Sequence, residues 1–498
     1  MTNETAASSL RTSIPEGLWA SAVAASEVIK HASSVVVATH IDADGVAAAS
    51  IAARALAREG IRAQVLFFKK LDEQTIASLG SMDAGIIWYT DLGSGSLSKL
   101  EGISAVITDH HVPDTPGREG ARRGQAALTD FSTIQHVNPH LHGVSGATDL
   151  SGAGSTFLAA LAMSPENMIL APLAILGAVG DLQDQRARRL EGVNRRILAA
   201  AQAEHLVEAV QDIRYFGRET RPVHKMLEYS SDPFIPGITN NEEAALSLLL
   251  GLGIELKKGE AWKTWSDLND DERSAIVSEI RDILVKSRRR PETIVRLMGE
   301  VYVFGNEARG SPVRDAKEFA TLLNACGRHG RAEVGLRICS GDRGDALSEG
   351  LALLRDHRSA LSQALNFAKD TGVTRLTNIQ FFDAGDEIEE TIVGTVAGML
   401  LNSNGSDRSA PMVAFADSTE FSEAPKKKAS ARGTQELVSM GMDLSYAMRA
   451  AAEKVGGVGG GHNIAAGATI PCEKKEEFLG VLDDIVGSQL TRRARRGE

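Results

Sequence analysis

The sequence predicts an α/β protein in which a first domain built on a parallel sheet and a smaller second α/β domain are separated by a mostly helical insertion. Three observations carry that expectation. β-Branched runs alternate with helical stretches over the first 200 residues and again after about residue 330, the pattern of βαβ units. Between them, charged helical pattern such as "DDERSAIVSEIRDILVKSRRRPETIVRLMGEV" dominates. The 498 residues also exceed what one hydrophobic core usually supports.

Taken in order, residues 1–20 ("MTNETAASSLRTSIPEG…") read as a flexible N-terminus. Residues 21–200 form the first domain: "SSVVVATH" is a buried strand, "GVAAASIAARALAREG" a helix, and "IRAQVLFF", "AGIIWYTD" and "ISAVITDHH" further strands. Residues 201–325 are the helical insertion. Residues 326–488 form the second α/β domain. There "AEVGLRICS", "LTNIQFFDA" and "PMVAFADS" are expected as strands, and "ALSEGLALLRDHRSALSQALNFAKD" and "TIVGTVAGMLLNS" as helices. A glycine-rich turn, "GGVGGGHNIAAGATI", and a last helix precede a basic tail at 489–498.

Composition narrows the class. Apolar residues make up 43% and charged residues 24%, and no run approaches the roughly 20 apolar residues of a membrane span. The N-terminus has neither the basic nor the apolar segment of a secretory signal, so a cytoplasmic protein is expected. Three widely spaced cysteines, Cys326, Cys339 and Cys472, give neither a zinc pattern nor a disulfide framework and read as small hydrophobes. The net charge of −11 argues against nucleic-acid binding over the whole surface but leaves room for a local basic groove. The basic runs are Arg288 to Arg290, Lys426 to Lys428, and Arg492 to Arg496, each of which alone reads as a solvated face.

Chemistry gathers in four clusters, each at the end of an apolar run: His40, Asp42 and Asp44 in "HIDADG", Asp91 in "YTDLGSGS", Asp109, His110 and His111 in "ITDHHVPD", and Asp181 in "LAILGAVGDLQD". Singly, each Asp is an ordinary cap or turn residue. Folded onto one edge of a parallel sheet, where open α/β sheets place their sites, the four ends would bring five carboxylates and three imidazoles together. Such a cluster loses hydration and repels itself unless cations neutralise it. Mixed carboxylate and imidazole ligands suit Mn²⁺, Mg²⁺, Zn²⁺ or Fe²⁺ rather than Ca²⁺. Two such ions about 3.5–4 Å apart form the clamp used for in-line displacement at phosphorus. Alternation along an extended chain would let His40, Asp42 and Asp44 face one pocket, with Gly45 bending the backbone into the following helix.

"HIDADG", "TDLGSG", "TDHH" and "VGD", in this order, resemble the metal-binding motifs of the DHH phosphoesterase superfamily, and "GGGHNIAAGA" resembles the signature of its associated C-terminal domain. "HVNP" at His136 to Pro139 and "DLSGAG" at Asp149 to Gly154 place the resemblance in the RecJ-like branch. "YFGRETRPVHKML", "EFATLLNACGR" and "ASARGT" bring it nearest to the archaeal GINS-associated nuclease.

The resemblance implies a catalytic domain and a substrate-binding domain with a cleft between them. It implies that His40, Asp42 and Asp91 hold one metal and that Asp44, Asp91, His110 and Asp181 hold a second, with Mn²⁺ as the expected ion and Mg²⁺ the alternative. His111 would meet the scissile phosphate, Asp109 would orient a histidine, and Arg432, Gly460, Gly461 and His462 would hold a neighbouring phosphate.

The activity implied is a single-strand-specific exonuclease of 5′-to-3′ polarity acting on DNA or RNA, with GINS, and through it the replicative helicase, as partner. Two alternatives stand beside it: a replisome scaffold with vestigial activity, and a phosphodiesterase of oligonucleotides or cyclic dinucleotides. Trp262, Trp265 and Tyr215 are expected to pack rather than to stack on bases.

Overall fold

The computed structural model describes residues 3–100, 102–114, 134–230, 232–403, 406–418 and 424–494. The chain divides into two compact units, Met1–Leu354 and Arg355–Glu498. The division falls later than the expected boundary at 325, because the helices Ala316–Arg328 and Ala332–Cys339 pack into the core of the first unit through Phe319, Leu322, Leu323, Val334 and Ile338. "AEVGLRICS" is therefore a helix rather than a strand. Its apolar residues meet neighbours at helical spacing, and the β-branched content that suggested a strand yields to that packing.

The first unit is organised by a five-stranded, all-parallel sheet: β1 (Ser34–His40), β2 (Arg62–Phe68), β3 (Ile86–Thr90), β4 (Ala105–Thr108) and β5 (Ile134–Val137), in the order β2-β1-β3-β4-β5. Strand residues alternate between two cores. Val35, Val37, Trp88 and Val106 pack with the helices Glu16–Lys30, Ala43–Arg58 and Gly152–Met163 on one face. Val36, Ala38, Ile87, Tyr89 and Ile107 pack with Ile76, Leu79, Leu97 and Leu100 on the other. Burial on both faces explains why these strands read as continuous apolar runs. The strand order reverses between β1 and β3, so the carboxyl ends of these two strands open the crevice in which such sheets place their sites.

The N-terminus is not a flexible tail. It forms helices Asn3–Ser13 and Glu16–Lys30, and Ala7, Leu10, Ile14, Leu18, Ala22, Ala25 and Ile29 recur at three- and four-residue spacing to enter the main core. The region after residue 203 is helical as expected but rests on a two-stranded antiparallel sheet, Glu208–Ile213 with Met298–Val303. It has its own core, built on Trp265, Ile276, Ile280 and Leu284. Trp265 and Tyr215 are buried there, while Trp262 is half exposed and lies against His224, with ring centroids 4.5 Å apart. Arg289 of the Arg288–Arg290 run lies over the Phe234 ring.

The second unit carries a six-stranded sheet in the order Thr374–Arg375, Gln380–Asp383, Met412–Asp417, Lys426–Arg432, Ala465–Pro471, Val458–Gly461. One core, including Val413, Phe415, Ala429, Ala431, Ala466, Ala468 and Phe478, lies on one face, and another, including Phe382, Val393, Val396 and Ala414, on the opposite face. The terminal helix Lys475–Ala494 runs into the expected basic tail, and the side chains of Arg492 to Arg496 lie outside the described residues. Cys326 and Cys339 are buried and Cys472 is partly so. Among the described residues no helix is long and apolar enough to cross a membrane.

Candidate metal centre and glycine-floored sheet face

The first site is assembled at the β1/β3 reversal. β1 delivers His40 at its last position, β3 is followed at once by Asp91, and β4 by Asp109, His110 and His111. Asp181 arrives differently from expectation: it caps the helix Ala171–Gly180 rather than ending a strand. The chain is extended only as far as Asp42, whose carboxylate caps the helix Ala43–Arg58 by accepting from Gly45 N at 2.9 Å. Asp44 already lies in the first turn of that helix. Gly45 is required by close approach, since a Cβ there would stand 2.3 Å from the His40 carbonyl oxygen.

His40, Asp42 and Asp91 offer ligand atoms that lie within 4.8 Å of one another, as do Asp91, Asp109, His110 and His111. His40 Nδ1 lies 3.0 Å from Asp42 Oδ2 and 3.7 Å from Asp91 Oδ2, yet it makes no aligned hydrogen bond. Asp91 Oδ1 is likewise buried without a hydrogen-bond partner. His110 Nδ1 donates to the Gly146 carbonyl at 2.6 Å, which fixes the tautomer and turns the Nε2 lone pair toward Asp91 Oδ1 at 3.3 Å and Asp44 Oδ2 at 3.8 Å. A lone pair facing two carboxylates needs a cation or a proton between them. With no cation, protons fill that role. Burial, with Asp44 and Asp42 nearby, pushes the Asp91 carboxyl well above its usual range. Burial lowers the His110 imidazole, but Asp181, Asp44 and Asp109 together raise it to about 9. Burial pushes Asp181 up to about 6. The donor set and its unpartnered atoms fit a divalent cation.

Asp109 behaves otherwise. It is fully buried and fully satisfied, accepting from the backbone N–H of His110 (2.7 Å) and His111 (3.2 Å), from His111 Nδ1 (2.8 Å) and from Ser94 N (2.9 Å). Its geometry is that of an orienting group, and the ring it orients, His111, is half exposed. Ser94 is held in turn by His136 Nε2 (2.9 Å) and Asn138 Nδ2 (2.8 Å), which gives the "HVNP" stretch a place behind Asp109.

Several contributors are absent from the four motifs. Asp44 accepts from Gly152 N (2.7 Å) and Ala153 N (3.0 Å), the first residues of the helix Gly152–Met163, so that helix N-terminus offsets its buried charge. A Cβ on Gly152 would fall 2.4 Å from Asp91 Oδ1, and one on Gly177 would fall 2.2 Å from Asp44 Oδ1. Gln183 Nε2 bonds Asp181 Oδ2 (3.0 Å) and the same Gly146 carbonyl (2.8 Å) that orients His110. Asn194 Nδ2 holds the Gln183 oxygen at 2.6 Å. Asn324 Oδ1 accepts from Ala43 N at 2.9 Å. The one local signal among these was the glycine spacing of "DLSGAG".

The second group of residues lies on the sheet of the second unit. "VGGG" is an edge strand, Val458–Gly461, rather than a turn, because it pairs along its length with Ala465–Pro471. Gly459 and Gly461 are demanded by packing: a Cβ would fall 2.7 Å from the Met448 carbonyl oxygen and 2.6 Å from Ala466 Cα respectively, and Gly461 has φ 137°. Gly460 faces open space. Register sets out three rows on one face: Lys428, Thr469 and Val458; Ser430, Gly467 and Gly460; Arg432 and Ala465, with exposed His462 beyond. His462 N donates to the Ala465 carbonyl at 2.8 Å. The middle row is a backbone floor between Lys428 on one side and Arg432 with His462 on the other. Gly394 makes room for the Arg432 guanidinium, 2.5 Å from where its Cβ would be. Lys427, by contrast, is committed to Asp383 (3.0 Å) and Asp417 (2.6 Å).

Comparison with known proteins agrees with this architecture. Residues 215–298 match the DHH-CID domain family and residues 375–488 the DHHA1 domain family. An uncharacterized protein of Methanocaldococcus jannaschii is 28% identical over 471 residues, covering 94% of this chain and 96% of that protein. Among solved structures, RecJ from Thermus thermophilus in complex with Mn²⁺ aligns with a TM-score of 0.55 at 18% identity over 95% of this chain. This chain spans about half of that protein, 55% of its length. An exonuclease RecJ bound to manganese aligns with a TM-score of 0.53 at 18% identity over 96% of both chains. CDC45 from Entamoeba histolytica aligns with a TM-score of 0.58 at 12% identity over 91% of this chain and 95% of that one. The chain thus has a RecJ-like fold, with a segment that matches the DHH-CID domain family in its first unit and one that matches the DHHA1 domain family in its second.

Proposed function

We propose that this protein is a divalent-metal-dependent exonuclease of single-stranded nucleic acid, of 5′-to-3′ polarity. It would work beside the replication machinery, with GINS as partner. The observation that carries the reading is the uncompensated cluster at the β1/β3 reversal, where His40 Nδ1 and Asp91 Oδ1 lack the hydrogen bonds their burial demands and His110 Nε2 faces Asp91 Oδ1 at 3.3 Å.

In this reading His40, Asp42 and Asp91 hold one cation, and Asp44, Asp91, His110 and Asp181 hold the other, Mn²⁺ or Mg²⁺. When bound, the pair supplies an activated water and charge stabilisation at phosphorus. The chain's own groups do the positioning. The Gly146 carbonyl fixes the His110 tautomer, Gln183 holds Asp181, and the helix beginning at Gly152 holds Asp44. Asp109 locks the His111 ring through Nδ1 and leaves Nε2 for an oxygen of the scissile phosphate. In the second unit, Gly460 admits a phosphate to the backbone, with Arg432 and His462 beside it and Gly461 shaping the strand end.

The test is hydrolysis of single-stranded DNA and RNA labelled at either end, with Mn²⁺ and with chelator. Metal-dependent loss of mononucleotides from the 5′ end is expected. Loss from the 3′ end would reverse the polarity, and hydrolysis confined to dinucleotides would move the substrate to small phosphodiesters. No hydrolysis of any of them, together with capture of GINS, would leave a scaffold in place of an enzyme.

A further inference from the structure

Leu182, the residue after Asp181, combines two features that folding alone does not favour. Its backbone is left-handed, with φ 58°. Its side chain is 60% exposed. Leu182 N donates to the Val179 carbonyl and Gln183 N to the Ala178 carbonyl, which makes Leu182 the left-handed residue that closes the helix Ala171–Gly180, a position glycine usually takes. Among the described residues the other non-glycine residues with positive φ are Asp91, Arg188, His205, Asn240 and Arg288, all polar.

For a branched apolar side chain this conformation is strained, and exposure removes any packing return within the chain. The turn itself is fixed on both sides, by Asp181 at the cluster and by Gln183 on Asp181 and the Gly146 carbonyl. Leu182 is therefore an exposed side chain on a fixed segment, between Asp181 of the acidic cluster and Gln183 that holds it. Two more exposed aliphatic residues sit on segments tied to the same place: Val112 (68% exposed) follows His111, and Leu141 (48%) lies in the short helix Pro139–His142 beside Asn138, which bonds the His111 carbonyl.

We propose that Leu182 is a substrate-contact residue, its side chain packing on the sugar or base of the nucleotide whose phosphate is cut, with Val112 and Leu141 completing an apolar rim. The proposal rests on the exonuclease reading above. It explains why a strained leucine occupies a glycine position: the contact it makes is with the substrate. Apolar contact with sugar and base faces is indifferent to base identity, as an exonuclease that accepts any single-strand sequence requires.

Leu182→Gly and Leu182→Asn separate this role from a structural one, because both residues suit a left-handed backbone and both remove the apolar group. Each variant should melt at or above the wild-type temperature and bind Mn²⁺ with unchanged affinity in calorimetry. Each should also raise KM for single-stranded DNA about tenfold, the loss expected for one apolar contact of about 1.4 kcal/mol. Variants that melt higher but keep the wild-type KM would overturn the proposal while leaving the exonuclease reading intact. Variants that melt lower at unchanged KM would assign Leu182 to the fold and also overturn it. A wild-type protein that neither binds nor cuts single strands would defeat the exonuclease reading first, and the role of Leu182 with it.

Discussion

Around Asp44 and Asp91 the glycines give way to the protein's own carboxylates, whereas Gly460 gives way to nothing the chain supplies. Gly152 and Gly177 stand where a Cβ would meet Asp91 Oδ1 at 2.4 Å and Asp44 Oδ1 at 2.2 Å, but a Cβ on Gly460 would enter open space. The first arrangement concentrates charge by burying it against helix ends and backbone donors. The second leaves bare main chain on an edge strand, with Lys428, Arg432 and His462 around it. The same residue type thus marks a crowded site in one unit and an open one in the other, and only the surroundings tell them apart.

Removing Asp91, the carboxylate common to both proposed cation sites, should have the largest effect. Asp91→Ala is expected to abolish Mn²⁺ binding and to lower metal-dependent hydrolysis on the order of 10³-fold, several kcal/mol of lost stabilisation. In chelator the same variant should melt no lower than wild type, because a buried carboxyl whose protonation is forced by its neighbours costs stability. Wild-type Mn²⁺ affinity in this variant, read by calorimetry, would remove Asp91 from the metal centre.

A pair of glycine substitutions addresses the comparison directly. Gly177→Ala should cost about 3 kcal/mol by thermal unfolding, since Asp44 cannot move away without losing its helix-end donors. Gly460→Ala should change stability by less than about 0.5 kcal/mol and yet weaken single-strand binding in a gel-shift assay. Equal stability losses at the two positions would erase the contrast between crowded and open glycines.

Gln183→Leu keeps the volume and removes the amide that holds both Asp181 and the Gly146 carbonyl. Metal affinity should fall about 10- to 100-fold, as for other groups that orient ligands. Unchanged affinity would show that Asp181 needs no such support.

The smallest effect concerns a buried carboxyl away from the metal cluster. Burial, with Asp315 nearby, pushes Glu318 up from 4.5 to about 7, although Glu219 N and the Thr220 hydroxyl both donate to it. A carboxyl raised on folding binds its proton more tightly in the folded chain. Its contribution is present below about pH 4.5 and lost as pH rises to about 7. Glu318→Gln should therefore match wild type near pH 5 and exceed it by about 1–2 kcal/mol near pH 8. Parallel stability curves for the two proteins across this range would refute the shift.

What the sequence made legible follows from how local each signal is. His40, Asp42, Asp91 and His110 could be paired with strand ends because each follows an apolar run within a few residues. Asp181 also follows an apolar run, but that run is a helix, since length and burial rather than composition distinguish a buried helix from a buried strand. Gln183, Gly177 and Asn324 gave no signal, because their partners lie elsewhere in the chain and single-sequence reading has no access to that proximity. The N-terminal helices were readable from the spacing of Leu10, Ile14, Leu18 and Ala22, but intervening Ser, Thr and Pro15 obscured it. The open character of Gly460 became visible only with the register of its three-strand neighbourhood.

The helix Ala316–Arg328 returns to the loop after β1: Asn324 Oδ1 accepts from Ala43 N, and Gly327 lies where a Cβ would strike the Ile41 carbonyl oxygen at 1.8 Å. This contact joins residues 281 positions apart in sequence. During synthesis the His40–Asp44 segment therefore leaves the ribosome long before its final brace exists. At about 5–20 residues per second the wait lasts tens of seconds. Throughout that time the segment lacks this backbone partner, so the last support of the His40–Asp44 loop arrives only with completion of the first unit.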